Sequence, residues 1–182
     1  LGYNGVPVVE QVSFDLYRGD KIGLIGRNGS GKSTILKALI GELEPLDGEL
    51  RLGSNVDVAY FDQELSDLTL DATVLDNMWE LDLTADVNKI KSFLGKFGFS
   101  GEASMKVVAS LSGGEKTKLC LARLLYRPAN FIILDEPTNH LDIDAHEALE
   151  TALLEYEGTC LIVSHDRYFL DRVVNRVVHI SD

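Results

Sequence analysis

The nine residues GRNGSGKST, at positions 26–34, have too little side-chain volume to fill a core, which indicates that their backbone approaches a ligand. Gly26, Gly31, Lys32 and Ser33 match the pattern G-x-x-x-x-G-K-[ST]. In this pattern the glycines let successive N–H groups turn toward phosphate oxygens, and the start of the following helix adds partial positive charge. We therefore expect Lys32 to reach the β- and γ-phosphates of a nucleotide and Ser33 to bind Mg²⁺.

The residues on either side of this loop support the phosphate interpretation. KIGLIG at 21–26 predicts a strand, and STILKALIGEL at 33–43 predicts a helix because its apolar residues recur at helical spacing. A strand, a glycine-rich loop and a helix in this order are the context that the pattern requires. The alternative, a flexible glycine-rich turn with no ligand, is disfavoured by this context.

A second stretch that could do chemistry is FIILDEP at 131–137, where four apolar residues lead into two carboxylates. A buried parallel strand would deliver these carboxylates to its C-terminal edge, where such sheets bind ligands. Asp135 is placed to act on the Mg²⁺ side of a phosphate site, and Glu136 could accept a proton from an attacking water. Alone, the pair would more often be a solvated turn, but the phosphate loop upstream reverses that preference.

The stretch LSGGEK at 111–116 predicts the start of a helix and indicates a second anion site. Ser112 and Glu115 have the spacing of a capping box. Gly113 and Gly114 are poor helix formers in a first turn, a cost that is explained if a phosphate must come close to their N–H groups. Because the chain already has one phosphate loop, this second anion site would serve a neighbouring molecule.

The elements around these motifs predict an α/β fold. Buried apolar strands separated by helices specify a parallel sheet that is covered on both faces. The strands predicted after the first loop are 131–134, 160–163 and 176–180, and the helices are 112–126, about 144–156 and 166–172.

Two segments differ from this alternation. Residues 6–16 predict antiparallel strands joined by turns, and residues 48–63 predict another short β stretch. From about 64 to 110 helix formers replace the β-branched runs, which predicts a small helical lobe inserted into the sheet domain. Aromatic residues at helical spacing are usually packing residues, so the expected core of this lobe is Trp79, Phe93 and Phe97.

Composition limits the classes of partner. The chain has 182 residues, 45% of them hydrophobic, and a formal net charge of −12, which argues against direct DNA binding or a broad nucleic-acid surface. Cys120 and Cys160 lie among apolar residues and are expected to be reduced, buried thiols. No segment predicts a membrane span or a signal peptide, so we expect a cytoplasmic protein. The chain begins at Leu1, and we expect it to be a fragment of a longer one.

Four motifs in this order, GRNGSGKST, LSGGE, FIILDEP and VSHD, closely resemble the nucleotide-binding domains of ATP-binding-cassette (ABC) proteins over essentially the whole chain. The resemblance implies one ABC ATP-binding domain at 1–182. Its fold would be a P-loop NTPase core with a parallel sheet flanked by helices, an N-terminal antiparallel β subdomain and a helical subdomain inserted at about 64–126. It further implies a weak ATPase that works as a head-to-tail dimer of cassettes.

The resemblance also assigns roles to individual residues. ATP would be contacted by Tyr3, which stacks on adenine, and by Gly26, Asn28, Gly29, Ser30, Gly31, Lys32, Ser33 and Thr34. The partner cassette would contribute Ser112, Gly113 and Gly114, and Asp142 would communicate between the two sites. Glu136, His165 and Gln63 would be catalytic; Mg²⁺ would be held by Ser33, Gln63 and, through water, Asp135. Alternatively, His165 is an ordinary surface histidine. Asp142 could also serve as a negative charge at a helix N-terminus, and this role is compatible with the one that the family implies.

The short insert is most similar to that of the ABC-F proteins, as are the stretches DEPTNHLD, LSGGEKTKLCLARLL and SHDRYFLDRVV. That likeness implies a soluble protein with two cassettes on one polypeptide that acts on ribosomes. Two alternatives stay open. One is the energy-supplying subunit of a membrane transporter, and the other is a nucleotide-gated binding module that hydrolyses poorly.

Overall fold

A computed structural model describes residues 1–61, 68–139 and 141–180. The strands are Gly2–Tyr3 (β1), Val6–Pro7 (β2), Lys21–Gly26 (β3), Val58–Phe61 (β4), Phe131–Asp135 (β5), Thr159–Val163 (β6) and Arg176–Ile180 (β7). The α-helices are Lys32–Leu39 (α1), Val74–Trp79 (α2), Val87–Lys96 (α3), Gly113–Tyr126 (α4), Ile143–Glu155 (α5) and Arg167–Val173 (α6). Two 3₁₀ turns span Gly101–Met105 and Val108–Ser110.

The chain divides into two compact units. The first comprises Leu1–Tyr60, Ala129–Pro137 and Glu157–Asp182, and the second comprises Phe61–Pro128 and Thr138–Tyr156. The first unit therefore holds the sheet with α1 and α6, whereas the second holds α2 to α5.

The five-stranded sheet has the order β4-β5-β6-β3-β7. Strand β3 is parallel to both β6 and β7, and β5 is parallel to β6. Strand β6 is buried along its whole length, as expected for a strand covered on both faces. Because parallel strands end at one edge of a sheet, the residues that follow β3, β5 and β6 lie at the same edge.

The two cysteines differ in their environment. Cys160 lies on β6 and is fully buried, and burial raises the pKa of its thiol to about 12. A thiol of this kind stays protonated and unreactive. The expectation that Cys120 is buried too is wrong, since it is only partly buried. The reason is its place on α4, where Leu119 and Leu121 take the fully buried positions.

The N-terminal β prediction is correct only in part. The antiparallel pair β1–β2 joins Gly2 to Pro7 and Tyr3 to Val6, but no strand is present between Pro7 and Lys21 in this described stretch. Phe14 and Leu16 instead pack against the hydrophobic core of the sheet. Their apolar side chains, which produced the strand-like pattern, are held by packing and not by a hydrogen-bonded ladder.

Of the three predicted aromatic residues, Phe97 lies in the core of the second unit, whereas Phe93 is only partly buried and packs against it. Phe97 is 1% exposed, and its ring centroid lies 5.4 Å from that of Phe93, which also packs edge-on against Tyr126. The assignment of Trp79 to this core is wrong, since 38% of Trp79 is exposed and its Nε1 donates a hydrogen bond to the Leu83 carbonyl. Trp79 is the last residue of a six-residue helix whose buried side chains are Val74, Leu75, Asn77 and Met78.

We expect Phe97→Ala to lower the free energy of unfolding by about 3–5 kcal/mol, because it removes a fully buried ring and leaves a cavity. Trp79→Ala should cost roughly half of that or less, since much of the indole already contacts water. Urea unfolding followed by circular dichroism measures both. Equal losses in the two variants would contradict this description of the core.

Candidate functional site

The loop between β3 and α1 depends on the backbone of Gly31. This residue is the N-cap of α1 and has φ 89°, in the left-handed region that favours glycine. A Cβ atom at this position would lie 1.9 Å from Cγ2 of Val9. Two independent constraints therefore demand glycine, and the resulting turn directs the first N–H groups of α1 outward from the helix.

These N–H groups form a cradle that a phosphate would complete. The N–H groups of Gly31, Lys32 and Ser33 have no acceptor among the described residues. The Ser30 Oγ atom is buried and likewise lacks a hydrogen-bond partner in the part of the chain that the structure describes. Convergent donors at a helix N-terminus fit an anionic ligand, so the residues present fit the phosphates of a nucleotide.

Lys32 lies against this loop. It is 8% exposed, and its Nζ donates hydrogen bonds of 2.9 Å to the carbonyl oxygens of Gly26 and Arg27. An ammonium group has three donors, so these two contacts leave one for a phosphate oxygen. The loop therefore holds the positive charge at the place where the sequence pattern predicts it.

Ser33 and Asp135 come together across the first unit. The Ser33 Oγ donates to Oδ2 of Asp135 at 3.3 Å. A hydroxyl and a carboxylate oxygen are donors that Mg²⁺ prefers. The described residues contain no cluster of three or more His, Cys, Asp or Glu side chains suited to a metal, so an ion here would need phosphate and water oxygens as well. Mg²⁺ bound with a nucleotide has this coordination, and the pair fits it.

Glu136 has a strained backbone and a buried carboxylate oxygen. Its φ is 48°, and its N–H donates to the Val163 carbonyl at 2.9 Å. The His165 N–H donates to Oε2 at 3.3 Å, whereas Oε1 is buried and has no hydrogen bond within the described residues. The His165 Nε2 lies 3.5 Å from Oε1. Strain and an unpaired polar atom cluster at functional sites, so both features make Glu136 a candidate site residue, and His165 lies beside it.

The second unit contains the other predicted anion site, at the start of α4. Ser112 is the N-cap, its Oγ accepts from the Glu115 N–H at 3.2 Å, and its own N–H donates to Glu115 Oε2 at 2.8 Å. The predicted capping box is therefore confirmed. The hydrogen bonds from Ser112 hold the pKa of the Glu115 carboxyl below its usual value.

Gly113 and Gly114 follow this cap. Gly113 is exposed, and a Cβ built on it would meet no atom within 4 Å. Packing within the described chain therefore gives no reason for glycine here. The N–H groups of both glycines find no acceptor among the described residues. The start of α4 is thus open to another molecule, and an anion is the ligand that its N–H groups would accept.

Asp142 caps the next helix of this unit. Its Oδ1 accepts from the Ala145 N–H at 3.0 Å, and its Oδ2 accepts from Nζ of Lys118 at 2.5 Å. The Lys118 ammonium, with the Ala145 N–H, holds the pKa of this carboxyl below its usual value. Sequence reasoning missed Lys118, because nothing in the pattern shows that residues 24 positions apart on two helices are in contact.

The structure places the remaining predicted residues as follows. Tyr3 is on β1 and 42% exposed, Asn28 and Gly29 are exposed in the loop, and Thr34 is buried on α1. Gln63 lies outside the described residues. Across positions 1–61, 68–139 and 141–180, every helix is too short or too polar to span a bilayer.

Comparison with known proteins agrees with this geometry. A family model described as "ABC transporter" matches residues 9–139. The chain is 52% identical over 98% of its length to the Bacillus subtilis protein YdiF, and 42% identical over its whole length to ABC transporter F family member 5 of Arabidopsis thaliana. It spans 28% and 27% of these relatives, respectively.

A solved structure has a similar fold. It is the archaeal ribosome recycling factor in complex with a ribosomal stalk protein, with a TM-score of 0.76 and 31% identity over 90% of this chain and 32% of that one. The matched model covers most of this chain, including the phosphate loop and the two carboxylates. The chain therefore belongs to the ABC transporter family as an ATP-binding, ATP-hydrolysing domain, with ABC-F proteins among its relatives.

Proposed function

We propose that this domain binds ATP and Mg²⁺ between its own phosphate loop and the start of α4 in a second cassette, and that hydrolysis separates the two. The observation that carries this proposal is the start of α4, where Gly113 is exposed and the N–H groups of Gly113 and Gly114 have no acceptor among the described residues. Since the described residues offer these N–H groups no acceptor, the anion that they would bind must belong to a ligand.

The phosphate loop would hold the β- and γ-phosphates. The N–H groups of Gly31, Lys32 and Ser33 supply donors, and the Lys32 ammonium supplies charge. Asn28, Gly29, Ser30 and Thr34 complete the loop, and Tyr3 offers an exposed ring for the adenine. The phosphates would therefore be held by backbone donors and by the lysine charge, the means that P-loop proteins use.

Other side chains would hold the metal or act on the attacking water. When bound, Mg²⁺ neutralises charge on the phosphates, and its protein ligands would be Ser33 and, through water, Asp135. Glu136 would accept the proton of the attacking water, because Oε1 is buried without a hydrogen bond in the described residues and is ready to accept one. His165 would contact the γ-phosphate, and Gln63 would contact the metal and the water.

The second cassette would offer Ser112, Gly113 and Gly114 to the γ-phosphate. The Ser112 Oγ accepts an N–H of its own helix, and its proton, which is shared with the Glu115 carboxylate, would turn to a phosphate oxygen when ATP arrives. Since the γ-phosphate is contacted from both sides, ATP would hold the two cassettes together and its loss would release them.

For the whole protein, we propose an ABC-F-type factor in the cytoplasm that acts on ribosomes. Two similarities support this: a relative named as an F family member and a structural neighbour solved with a ribosomal stalk protein. The net charge of −12 is compatible with this only if the basic contacts to RNA lie in another part of the protein.

The split site predicts that ATPase activity per molecule rises with protein concentration, because each active site needs two cassettes. The measurement is phosphate release at saturating ATP and Mg²⁺ over a hundredfold range of concentration. Ser112→Ala should lower the activity at every concentration without weakening ATP binding to the single chain. A constant specific activity would contradict the role of Ser112 in a second molecule's site.

Glu136→Gln should bind ATP and accumulate as a dimer. The amide keeps the size of the side chain but cannot accept a proton, so the closed state would no longer turn over. Size-exclusion chromatography with ATP, compared with ADP, measures the dimer. If the variant hydrolyses ATP at the parent rate, Glu136 is not the base.

The ribosomal proposal predicts that tagged Glu136→Gln protein, purified from cells in ATP, carries ribosomal subunits with it. The same purification in ADP should carry much less, because only the ATP-bound dimer is closed. Recovery of integral membrane proteins in place of ribosomes would favour the transporter alternative.

A further inference from the structure

The Lys118–Asp142 contact connects the two parts of the second unit that the proposed function uses. Lys118 lies on α4, six residues after Ser112, and Asp142 is the N-cap of α5. Six residues of α-helix span about 9 Å. The ammonium group of Lys118 therefore contacts the segment before α5 at a short distance from the exposed start of α4.

The carboxylate of Asp142 bonds both helices at once. Oδ1 accepts the Ala145 N–H of α5 at 3.0 Å, and Oδ2 accepts Lys118 Nζ of α4 at 2.5 Å. Helix capping fixes the carboxylate to α5, so its second oxygen has a defined direction. The lysine on α4 thus contacts a rigid acceptor and not a mobile side chain.

This ion pair differs from another that also involves α5. The two carboxylates are similarly exposed, Asp142 at 59% and Glu155 at 62%, but the Lys118 side chain is only 15% exposed whereas that of Lys96 is 47% exposed. Exposed pairs contribute little because water screens the charges and two long side chains lose freedom. Lys118 has already lost most of its freedom by burial, so its contact is the more specific of the two.

We propose that Lys118 is a positioning residue for the composite ATP site. Through Asp142 it fixes the start of α5 against α4, so that Asp142 and Ser112 to Gly114 keep a defined spacing when they are presented to the ATP of the partner cassette. The inference rests on the proposed function, because it concerns the half of the site that a second cassette would receive. Lys118 itself touches no nucleotide.

The same contact could be explained if it only held α4 and α5 together in the fold, with no effect on the partner's ATP. The two explanations differ in where the defect appears. If the contact is only structural, its loss should weaken the fold of the variant itself. If Lys118 is a positioning residue, its loss should impair hydrolysis at the phosphate loop of the other molecule. Mixed dimers separate these possibilities.

The experiment mixes two kinds of chain. One is loop-intact, with an unchanged phosphate loop, and the other is loop-defective, because Lys32→Ala prevents its own phosphate loop from binding ATP. Lys32→Ala removes the phosphate-binding ammonium but keeps the start of α4, so an excess of it can complete the site of a wild-type chain kept too dilute to dimerise. The test partner carries Lys32→Ala with Lys118→Met. The matched control partner carries Lys32→Ala with Lys96→Met, which removes the exposed ion pair to α5.

We expect the Lys32→Ala partner and the Lys96→Met control to activate the wild-type chain equally. The Lys118→Met partner should activate it at least about tenfold less, since small misplacements of a catalytic surface have effects of this order. Lys118→Arg in the same background should restore much of the activation. In the reverse mixture, loop-intact Lys118→Met with excess Lys32→Ala should be as active as wild type with that partner.

Each other outcome is decisive. If the Lys118→Met partner activates as well as the control, or if the reverse mixture is equally impaired, Lys118 is not a positioning residue, although the split site stands. If no partner activates the dilute wild-type chain, the proposed function fails before Lys118 is tested. Thermal unfolding of each partner alone checks that the chains are folded.

Discussion

The left-handed backbone of Gly31 is the constraint on which the nucleotide site depends. It turns the chain from the end of β3 into α1 and leaves the first N–H groups of the helix without acceptors among the described residues. The contact with Val9 leaves no room for a side chain. These N–H groups, with the Lys32 ammonium, provide a site of positive potential in a chain whose formal charge is −12.

The parallel sheet brings the other groups to this site. Strands β3, β5 and β6 end at one edge, so the phosphate loop, the two carboxylates and His165 follow three neighbouring strands. Their order along the chain is unrelated to their proximity in the sheet. The same principle does not apply to α4 and α5, where Lys118 of α4 contacts the carboxylate of Asp142 at the start of α5.

Much of this could be predicted from local patterns. The strand 176–180, the Ser112 capping box and the carboxylates after FIIL depend on residues close in sequence, and their predictions agree with the structure. The errors arise where distant partners decide. Phe14 looks like a strand residue but is held by core packing, and Trp79 lies on the outer side of a short helix. The Lys118–Asp142 contact likewise has no local signal.

The most direct test of the central claim is an NMR titration of the ¹⁵N-labelled chain with a non-hydrolysable ATP analogue and Mg²⁺. If the cradle formed by Gly31 binds the phosphates, the backbone amides of Gly31, Lys32 and Ser33 should show the largest shift changes, because each gains a charged acceptor. If the analogue binds while these three amides keep their shifts, the phosphates lie elsewhere and the account is wrong.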